Sequence, residues 1–339
     1  MKWRRLLVLS GCLVITYYLL GQSKEMDAYI MSLKSEPAQA TFSQIVYSPH
    51  DEELRKQIHL EAEKRRQAPI DAKSDRVWGL IPGYNGLEID EEKTYKLAIK
   101  EGKLDDSTIV SYEVPPAVGL DELKPREIYK GNPNKPMVAL MINVAWGDEY
   151  LPIMLDVLKR EDVRATFFFD GTWLKKHLEI AKQIQAAGHE LANHAYTHKD
   201  MDKLSRYNAI QEMSKTQELL STGLGVNNTL FAPPSGAFNQ DTVNQAAELG
   251  MRTILWTVDT IDWKNPSKEQ ILNKIRAKVT AGSMILMHPT ESSSGSLESM
   301  IQIIKGKGLV LDTVSELLSP KRVPEQKLSN KTPSSLNVH

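Results

Sequence analysis

The feature that most limits how this chain can fold is a regular alternation of short apolar segments with amphipathic ones. The first apolar segment, residues 137–144, is too short and too rich in β-branched side chains for a buried helix, whereas residues 150–160 have helical periodicity. The alternation continues through predicted strands at 165–169, 190–192, 229–232, 252–258, 284–288 and 309–311 and predicted helices at 174–187, 204–220, 240–249, 268–279 and 297–305. It predicts an α/β fold with a parallel sheet covered by helices, and the number of units favours a closed or partly closed (β/α) barrel.

Charge and motif content disfavour two broad functional classes. The 339-residue chain has a formal net charge of −1, whereas nucleic-acid binding requires a clustered basic surface, so we expect no nucleic-acid partner. No glycine-rich phosphate loop of the GxGxxG or GxxxxGK(S/T) type follows the first predicted strand, which disfavours nucleotide binding.

The N-terminus predicts a membrane anchor. A basic start with Lys2, Arg4 and Arg5 precedes an apolar run at residues 6–21, which favours an uncleaved signal-anchor over residues 1–24. Two alternatives stay open: a signal peptide that is cleaved, and a lipoprotein modified at Cys12, the single cysteine of the chain. Because the basic flank is retained in the cytoplasm, we expect a single-pass protein of the cell membrane with its barrel on the extracytoplasmic side.

The rest of the chain is predicted to have four parts. In chain order they are a charged helical spacer, a small α/β subdomain, the barrel and a disordered tail, at residues 25–75, 76–133, 134–320 and 321–339. The spacer contains a helical pattern with few apolar positions at 51–67. The subdomain is inferred from a predicted helix at 91–100 and an alternating segment at 109–114. Cell-wall binding and packing against the barrel are both open roles for it.

Polar side chains follow several predicted strands, at the end where the reactive groups of (β/α) barrels lie. They are Asn143, Asp170, His194, His198, Asp259, Asp262, Trp263 and His288, together with the loop 233–239. His194 and His198 stand four residues apart, so on one helical turn both imidazoles would face one divalent ion. A pair of surface histidines is the alternative.

Five motifs in this part of the chain resemble the NodB-type polysaccharide deacetylases, in particular sporulation-associated members of Gram-positive bacteria. The family motifs TFDDG, HxxxH, RxPxG, DxxDW and LxLxH correspond in order to residues 141–145 (MINVA), 194–198 (HAYTH), 232–236 (APPSG), 259–263 (DTIDW) and 285–288 (ILMH). The resemblance covers residues 138–318, a little over half of the chain.

The resemblance implies a deformed (β/α)7–8 barrel of the NodB type that hydrolyses the acetamide C–N bond of N-acetylhexosamine in cell-wall glycan such as peptidoglycan. A divalent metal, with zinc expected, would be bound by His194 and His198, polarise the acetamide carbonyl and lower the pKa of bound water. His288 would donate a proton to the leaving amine, and Asp259 would tune His288. The residues expected to form the substrate pocket are Pro233, Pro234, Gly236, Asp262 and Trp263.

Three departures from the family pattern put turnover in doubt. Asn143 stands where the family has its catalytic base, and a carboxamide cannot accept a proton at neutral pH. Val144 stands where the third metal ligand should be, so any ion is expected to be weakly held. Ala232 replaces the arginine that orients the base, and this loss is coherent because an arginine facing a neutral amide would have no partner.

Two functional hypotheses follow from these residues. The first is an extracytoplasmic, metal-dependent N-deacetylase of weak activity. The second is a catalytically disabled pseudoenzyme that binds cell-wall glycan. Another carboxylate could replace the base, since Asp148, Glu149 and Asp170 lie at the same end of the strands. Asp170 is the best placed of the three, with a helix N-cap as its alternative role.

Overall fold

The computed structural model describes residues 49–324 and Lys327, so the predicted signal-anchor at residues 1–24 and its apolar run 6–21 lie outside the described residues. The chain forms two compact units, Met1–Glu61 and Ala62–His339. The first described element is helix α1, Pro49–Arg65, which confirms the helical pattern in the spacer. Among the helices of the described part, none is both long and apolar enough to cross a bilayer.

The second unit begins with two small antiparallel sheets. β1 (Lys73–Asp75) pairs with β2 (Gly79–Ile81), and β3 (Gly86–Ile89) pairs with β4 (Ser111–Val114). Helix α2 (Glu91–Glu101) lies between β3 and β4 in the chain. Asp90 caps its start by accepting the backbone N–H of Lys93, and Gly102 ends it in the left-handed conformation. A helix and a strand are thus present where the sequence predicted them in residues 76–133.

Strands and helices then alternate as expected. The elements are β5 (Met137–Val144), α3 (Leu151–Arg160), β6 (Thr166–Phe169), α4 (Gly171–Lys176), α5 (Leu178–Ala186), β7 (Glu190–Asn193), α6 (Arg206–Leu224), β8 (Leu230–Phe231), α7 (Gln240–Glu248), β9 (Arg252–Thr253), β10 (Val258–Asp259), α8 (Lys268–Lys278), β11 (Met284–Met287), α9 (Glu291–Gly306), β12 (Val310–Asp312) and α10 (Val314–Leu318). The single helix predicted at 174–187 is instead divided into α4 and α5, because His177 leaves the helical conformation.

β5 to β12 form one eight-stranded parallel sheet in the order β10-β11-β5-β6-β7-β8-β9, with β12 pairing with the start of β5. Seven strands laid flat would place the outer two about 29 Å apart. Residues 254–257, which join β9 to β10, reach at most about 17 Å between the strand ends. The sheet must therefore curl until its two edges approach each other, which confirms a partly closed barrel.

The connection between β9 and β10 differs from the prediction of one strand at 252–258. Ile254 forms a parallel bridge with Ile128, and the backbone N–H of Thr257 donates to the Met284 carbonyl. These contacts draw the segment away from β9 toward β11, so one apolar run in the sequence serves two strands at opposite edges of the sheet.

The core lies on both faces of the sheet, as the alternation of side chains along β5 shows. Met137, Ala139 and Met141 belong to the cluster inside the barrel. Val138, Leu140, Ile142 and Val144 belong to the larger cluster between the sheet and its helices. Asn143 therefore points inward at the carboxyl end of β5, on the face that the interior cluster occupies.

The first residues after Pro320 are held against the folded body, although the sequence predicted a disordered tail over 321–339. The Arg322 guanidinium lies 4.9 Å from the centroid of the Tyr84 ring and donates to the Asn85 carbonyl at 3.0 Å. Lys327 donates to the Asp312 carboxylate at 2.8 Å. The prediction of disorder is wrong for these positions, and residues 328–339 lie outside the described residues.

Candidate functional site

A cleft of about 430 Å³ opens at the carboxyl ends of the parallel strands. The residues that line it are Asn143, Trp146, His194, His198, Ser235, Trp256, Asp259, Trp263, Leu286 and His288. They lie in or follow six different strands, so the curled sheet brings together side chains that are far apart in the sequence. The expectation that His194, His198 and His288 share one cleft with Asn143 and Asp259 is confirmed.

The two histidines of the HxxxH motif lie on a bent loop rather than on a helical turn, so that part of the prediction is wrong. Ala195 and His198 have φ angles of 60° and 54°, which an α-helix does not allow. The Glu212 carboxylate fixes the loop by accepting the backbone N–H groups of Tyr196 and Thr197 at 3.0 and 2.6 Å. The two imidazoles still meet edge to face, with ring centroids 5.1 Å apart.

The backbone sets the tautomer of His194, which is 1% exposed. Its Nδ1 lies 2.7 Å from the Ala232 carbonyl oxygen, which can only accept a hydrogen bond, so Nδ1 carries the proton. Burial, together with the nearby rings of His198 and His288, lowers the pKa of His194 to about 3. The ring is therefore neutral at pH 7, and its Nε2 has a free lone pair.

Asn143 and Val144 end β5 on opposite sides of the strand. Asn143 is 3% exposed, and its Nδ2 lies 3.4 Å from the Nε2 of His194, a long hydrogen bond to the imidazole lone pair. The Oδ1 of Asn143 is buried and has no hydrogen-bond partner in the protein. Val144 is fully buried in the cluster beneath the helices. The cleft thus has an amide at the position of the base, while the hydrocarbon side chain at the position of the third ligand points away from the cleft.

His288 follows β11 and is held by a carboxylate and covered by an indole. Asp262, which is shielded from solvent, accepts the backbone N–H of His288 at 2.6 Å and lies 2.8 Å from its Nδ1. Burial raises the pKa of Asp262, but hydrogen bonds from His288 and Ser293 outweigh burial and hold it below the usual 3.8. Trp146 stacks on the imidazole, with ring centroids 5.2 Å apart and planes 17° from parallel.

The carboxylate that contacts His288 is Asp262, so the role assigned to Asp259 by the resemblance is wrong. The Oδ1 of Asp259 instead accepts the backbone N–H of Ile261 at 2.8 Å, and the residue lines the cleft. Asp262 was expected in the substrate pocket, but it lies behind His288. The reason is the left-handed conformation of Ile261, with a φ of 56°, which turns the chain between the two aspartates.

Asp170 caps a helix, which was the alternative role for it. Its Oδ1 accepts the backbone N–H of Trp173 at 2.9 Å and the hydroxyl of Thr172, and its Oδ2 is buried without a protein partner. Asp148 is bonded to the Trp173 indole N–H at 2.5 Å and lies 3.3 Å from His177. Neither carboxylate is among the residues that line the cleft. The prediction of Asp170 as a substitute base is therefore wrong, because it lies at the N-terminus of α4 instead.

The loop after β8 forms part of the cleft wall. Ser235 contributes to the lining, while Pro233, Pro234 and Gly236 determine the path of the loop, so their expected place in the pocket is indirect. Gly236 has a φ of 66°, and a Cβ there would lie 2.9 Å from the indole of Trp256. This close approach explains why a residue without a side chain is required.

Three tryptophans line the cleft, of which only Trp263 was predicted. Trp263 and Trp146 are 55% and 44% exposed, values that are high for such large apolar side chains. Trp146 directly follows a predicted strand, and that position was the available signal. Trp256 was concealed because it lies inside the apolar run that was predicted as a single strand.

The residues of the cleft do not complete the metal site that the family pattern implies. His194 and His198 supply two imidazoles, but an amide nitrogen does not coordinate a metal and Val144 has no donor atom. Within residues 49–324 and Lys327, no group of three or more His, Cys, Asp or Glu side chains is arranged to hold a metal ion. Zinc sites in proteins have at least three protein ligands, so this donor set is incomplete.

Comparison with known proteins identifies relatives over most of the chain. Residues 130–254 match the family described as polysaccharide deacetylase. The Bacillus subtilis protein YlxY is 43% identical over 295 residues, which cover 87% of this chain and 90% of that protein. A peptidoglycan-N-acetylglucosamine deacetylase of Bacillus cereus is 31% identical over 199 residues, which cover 57% of this chain and 72% of the enzyme.

Solved structures add a relative that is described as a pseudoenzyme. BA3943 from Bacillus anthracis, described as a pseudoenzyme of the CE4 family, is 42% identical with a TM-score of 0.75, over 80% of this chain and 96% of the other. A mutant of BA3943, described as having restored enzymatic activity, is 41% identical with a TM-score of 0.75, over 80% of this chain and 99% of the other. The similarity therefore extends beyond the segment that carries the five motifs.

Proposed function

The chain belongs to the polysaccharide deacetylase family, and we propose that it is a glycan-binding member at the cell surface whose hydrolysis of the acetamide bond is lost or strongly reduced. The observation that carries this proposal is the amide of Asn143 at the position of the base, against the lone pair of His194. Losing a general base typically reduces the rate by about 10²- to 10⁴-fold. Asp170 and Asp148, which could have replaced it, lie outside the cleft lining.

The form of the cleft supports binding of a sugar polymer. Its volume of about 430 Å³ and its exposed Trp146 and Trp263 suit a ligand that has one apolar and one polar face. Because the related Bacillus cereus protein is named for peptidoglycan N-acetylglucosamine, we propose cell-wall glycan containing N-acetylhexosamine as the ligand.

A slow deacetylase is the second candidate, and the intact pair of His288 and Asp262 favours it. Asp262 holds the Nδ1 of His288 at 2.8 Å and thereby orients the ring as a proton donor would need. His194 also has the neutral state of a metal ligand. In this case a divalent ion at His194 and His198, with zinc the best match, would be weakly held and easily removed.

We also propose a location and an arrangement for the protein. The basic start and the apolar run at 6–21 support a signal-anchor that leaves the barrel on the extracytoplasmic side of the cell membrane. The two small sheets of residues 73–114 support a subdomain beside the barrel, with cell-wall binding as a role. A function during sporulation rests on the resemblance alone. Protease treatment of intact cells would digest the barrel if this orientation holds and would spare it otherwise.

The decisive experiment compares acetate release by the full-length protein and by Asn143→Asp. Both are incubated with oligomers of N-acetylglucosamine and Zn²⁺, and binding to purified peptidoglycan is measured alongside. We expect wild-type binding with little or no acetate, and acetate from the variant because a carboxylate can accept the proton of water.

The control for this experiment is Asn273→Asp, which makes the same change on an exposed position of α8 and should not alter acetate release. Wild-type acetate release as fast as that of Asn143→Asp would contradict a disabled site. Absence of glycan binding would contradict the proposed function altogether.

A further inference from the structure

We infer that the cleft binds N-acetylated glycan without a metal ion, and that the Oδ1 of Asn143 accepts a hydrogen bond from the bound sugar. This inference rests on the proposed glycan binding and adds how the ligand is held. Asn143 is then a ligand-binding residue and not only a position from which the catalytic base is absent.

The orientation of the Asn143 amide follows from its neighbours. Because the Ala232 carbonyl accepts from Nδ1 of His194, the Nε2 of that ring can only accept a hydrogen bond. The amide atom that faces Nε2 at 3.4 Å must therefore be the donor, Nδ2. The opposite orientation would place a carbonyl oxygen against an imidazole lone pair, and two acceptors repel each other.

This orientation leaves the Oδ1 of Asn143 as a buried acceptor without a partner, on a side chain that is 3% exposed and lines the cleft. Buried carbonyl oxygens are nearly always hydrogen-bonded, and an unsatisfied one is a liability in the folded protein. A ligand with a donor group at this point would satisfy it. The acetamide N–H and the hydroxyls of an N-acetylhexosamine are such donors.

The aromatic lining determines which further chemistry the ligand must have. One face of the Trp146 indole is covered by His288, whereas 44% of the residue is still exposed. Trp263, which also lines the cleft, is 55% exposed. The C–H face of a hexose ring is the apolar surface that such indoles can cover, while its hydroxyls stay available for hydrogen bonds.

Metal independence follows from the same contacts. A metal at His194 would need the Nε2 lone pair that the Asn143 amide now occupies, and the displaced amide would lose its partner. Val144 is fully buried in the hydrophobic cluster and cannot compensate with a ligand atom. The amide and the imidazole thus form a neutral pair that is complete without a cation.

The test measures binding of the N-acetylglucosamine tetramer to the full-length wild-type protein by isothermal titration calorimetry. Titrations are made in EDTA, after dialysis, and with added Zn²⁺. We expect a Kd that is the same within about twofold in all three conditions. Binding that is abolished by EDTA and recovered with Zn²⁺ would overturn the inference and leave glycan binding intact. No binding in any condition would instead refute the proposed function.

Two variants test the role of Asn143 directly. Asn143→Leu removes the acceptor at similar volume and should raise the Kd about tenfold, which corresponds to ~1.4 kcal/mol. Asn273→Leu on the exposed surface of α8 is the matched control and should bind as the wild type does. Circular dichroism establishes that each variant is folded. Unchanged affinity of folded Asn143→Leu, with weaker binding by Trp146→Ala, would show that the sugar contacts the indole and not the amide.

Discussion

Replacing Asp262 by asparagine tests the link between the buried carboxylate and His288. The carboxylate accepts three hydrogen bonds, from the backbone N–H and Nδ1 of His288 at 2.6 and 2.8 Å and from the hydroxyl of Ser293. In Asp262→Asn the amide oxygen can keep the two donors that share Oδ2. The amide nitrogen then faces Nδ1 of His288, so the ring must adopt the other tautomer or lose its partner.

The size of the effect follows from the one charge-assisted hydrogen bond that is lost. Such bonds contribute about 1.5–3 kcal/mol, and partial recovery by the new tautomer places the expected loss in the free energy of unfolding near 2 kcal/mol. A unit of this size loses roughly 2–4 °C of Tm per kcal/mol, so we expect Tm to fall by about 4–8 °C at pH 7.

The pH dependence provides the sharper assay. The folded pKa of Asp262 is below its usual 3.8, so its contribution is complete above about pH 4 and is lost as the pH falls through the folded value. Urea unfolding of wild type and variant should therefore differ most at pH 7 and progressively less below pH 4. Asp241→Asn, on the exposed first turn of α7, is the control. Equal stability at pH 7, or a difference that is the same at pH 7 and pH 2, would refute the reasoning.

Three further predictions concern the cleft and its surroundings. Asn143→Asp should raise the affinity for Zn²⁺ at least about tenfold in competition with a colorimetric chelator, because it removes the amide that faces the Nε2 of His194 and places a negative charge beside the two imidazoles. Gly147→Ala should lower the free energy of unfolding in urea by about 2 kcal/mol or more, since φ is 84° and the new Cβ would lie 2.0 Å from the Pro289 carbonyl. Burial and Arg164 lower the pKa of His189 to about 4, so wild-type stability should decline as the pH falls from about 6.5 to 4. His189→Asn should show a smaller decline, with the part that comes from buried His194 remaining.

The alternation of strands and helices was predictable because each element shows its own period in the local sequence. β5 illustrates this, since its eight residues are all buried and read as one apolar run. The break at 254–257 was not predictable, because it depends on hydrogen bonds with Ile128 and Met284, which are distant in the sequence. A local sequence pattern identifies apolar segments, but it does not show which distant residues will form hydrogen bonds with their backbone.

The composition of the cleft was predicted better than its geometry. The spacing of His194 and His198 correctly predicted that their rings meet, yet the loop is bent by Glu212, whose role no local pattern shows. The contact with His288 is made by Asp262 and not by Asp259 because Ile261 has a left-handed conformation. A β-branched residue disfavours that conformation, so the sequence argued against the turn that the tertiary structure imposes.

The burial of Val144 makes the third metal ligand of the family pattern difficult to supply. At position 143, a carboxylate differs from the amide by one heavy atom, and it would lie in a polar cleft. A carboxylate at position 144 would have to enter the hydrocarbon layer beneath the helices, where an unpaired charge is strongly disfavoured. Fold stability therefore disfavours a carboxylate at position 144, whereas position 143 can accept one.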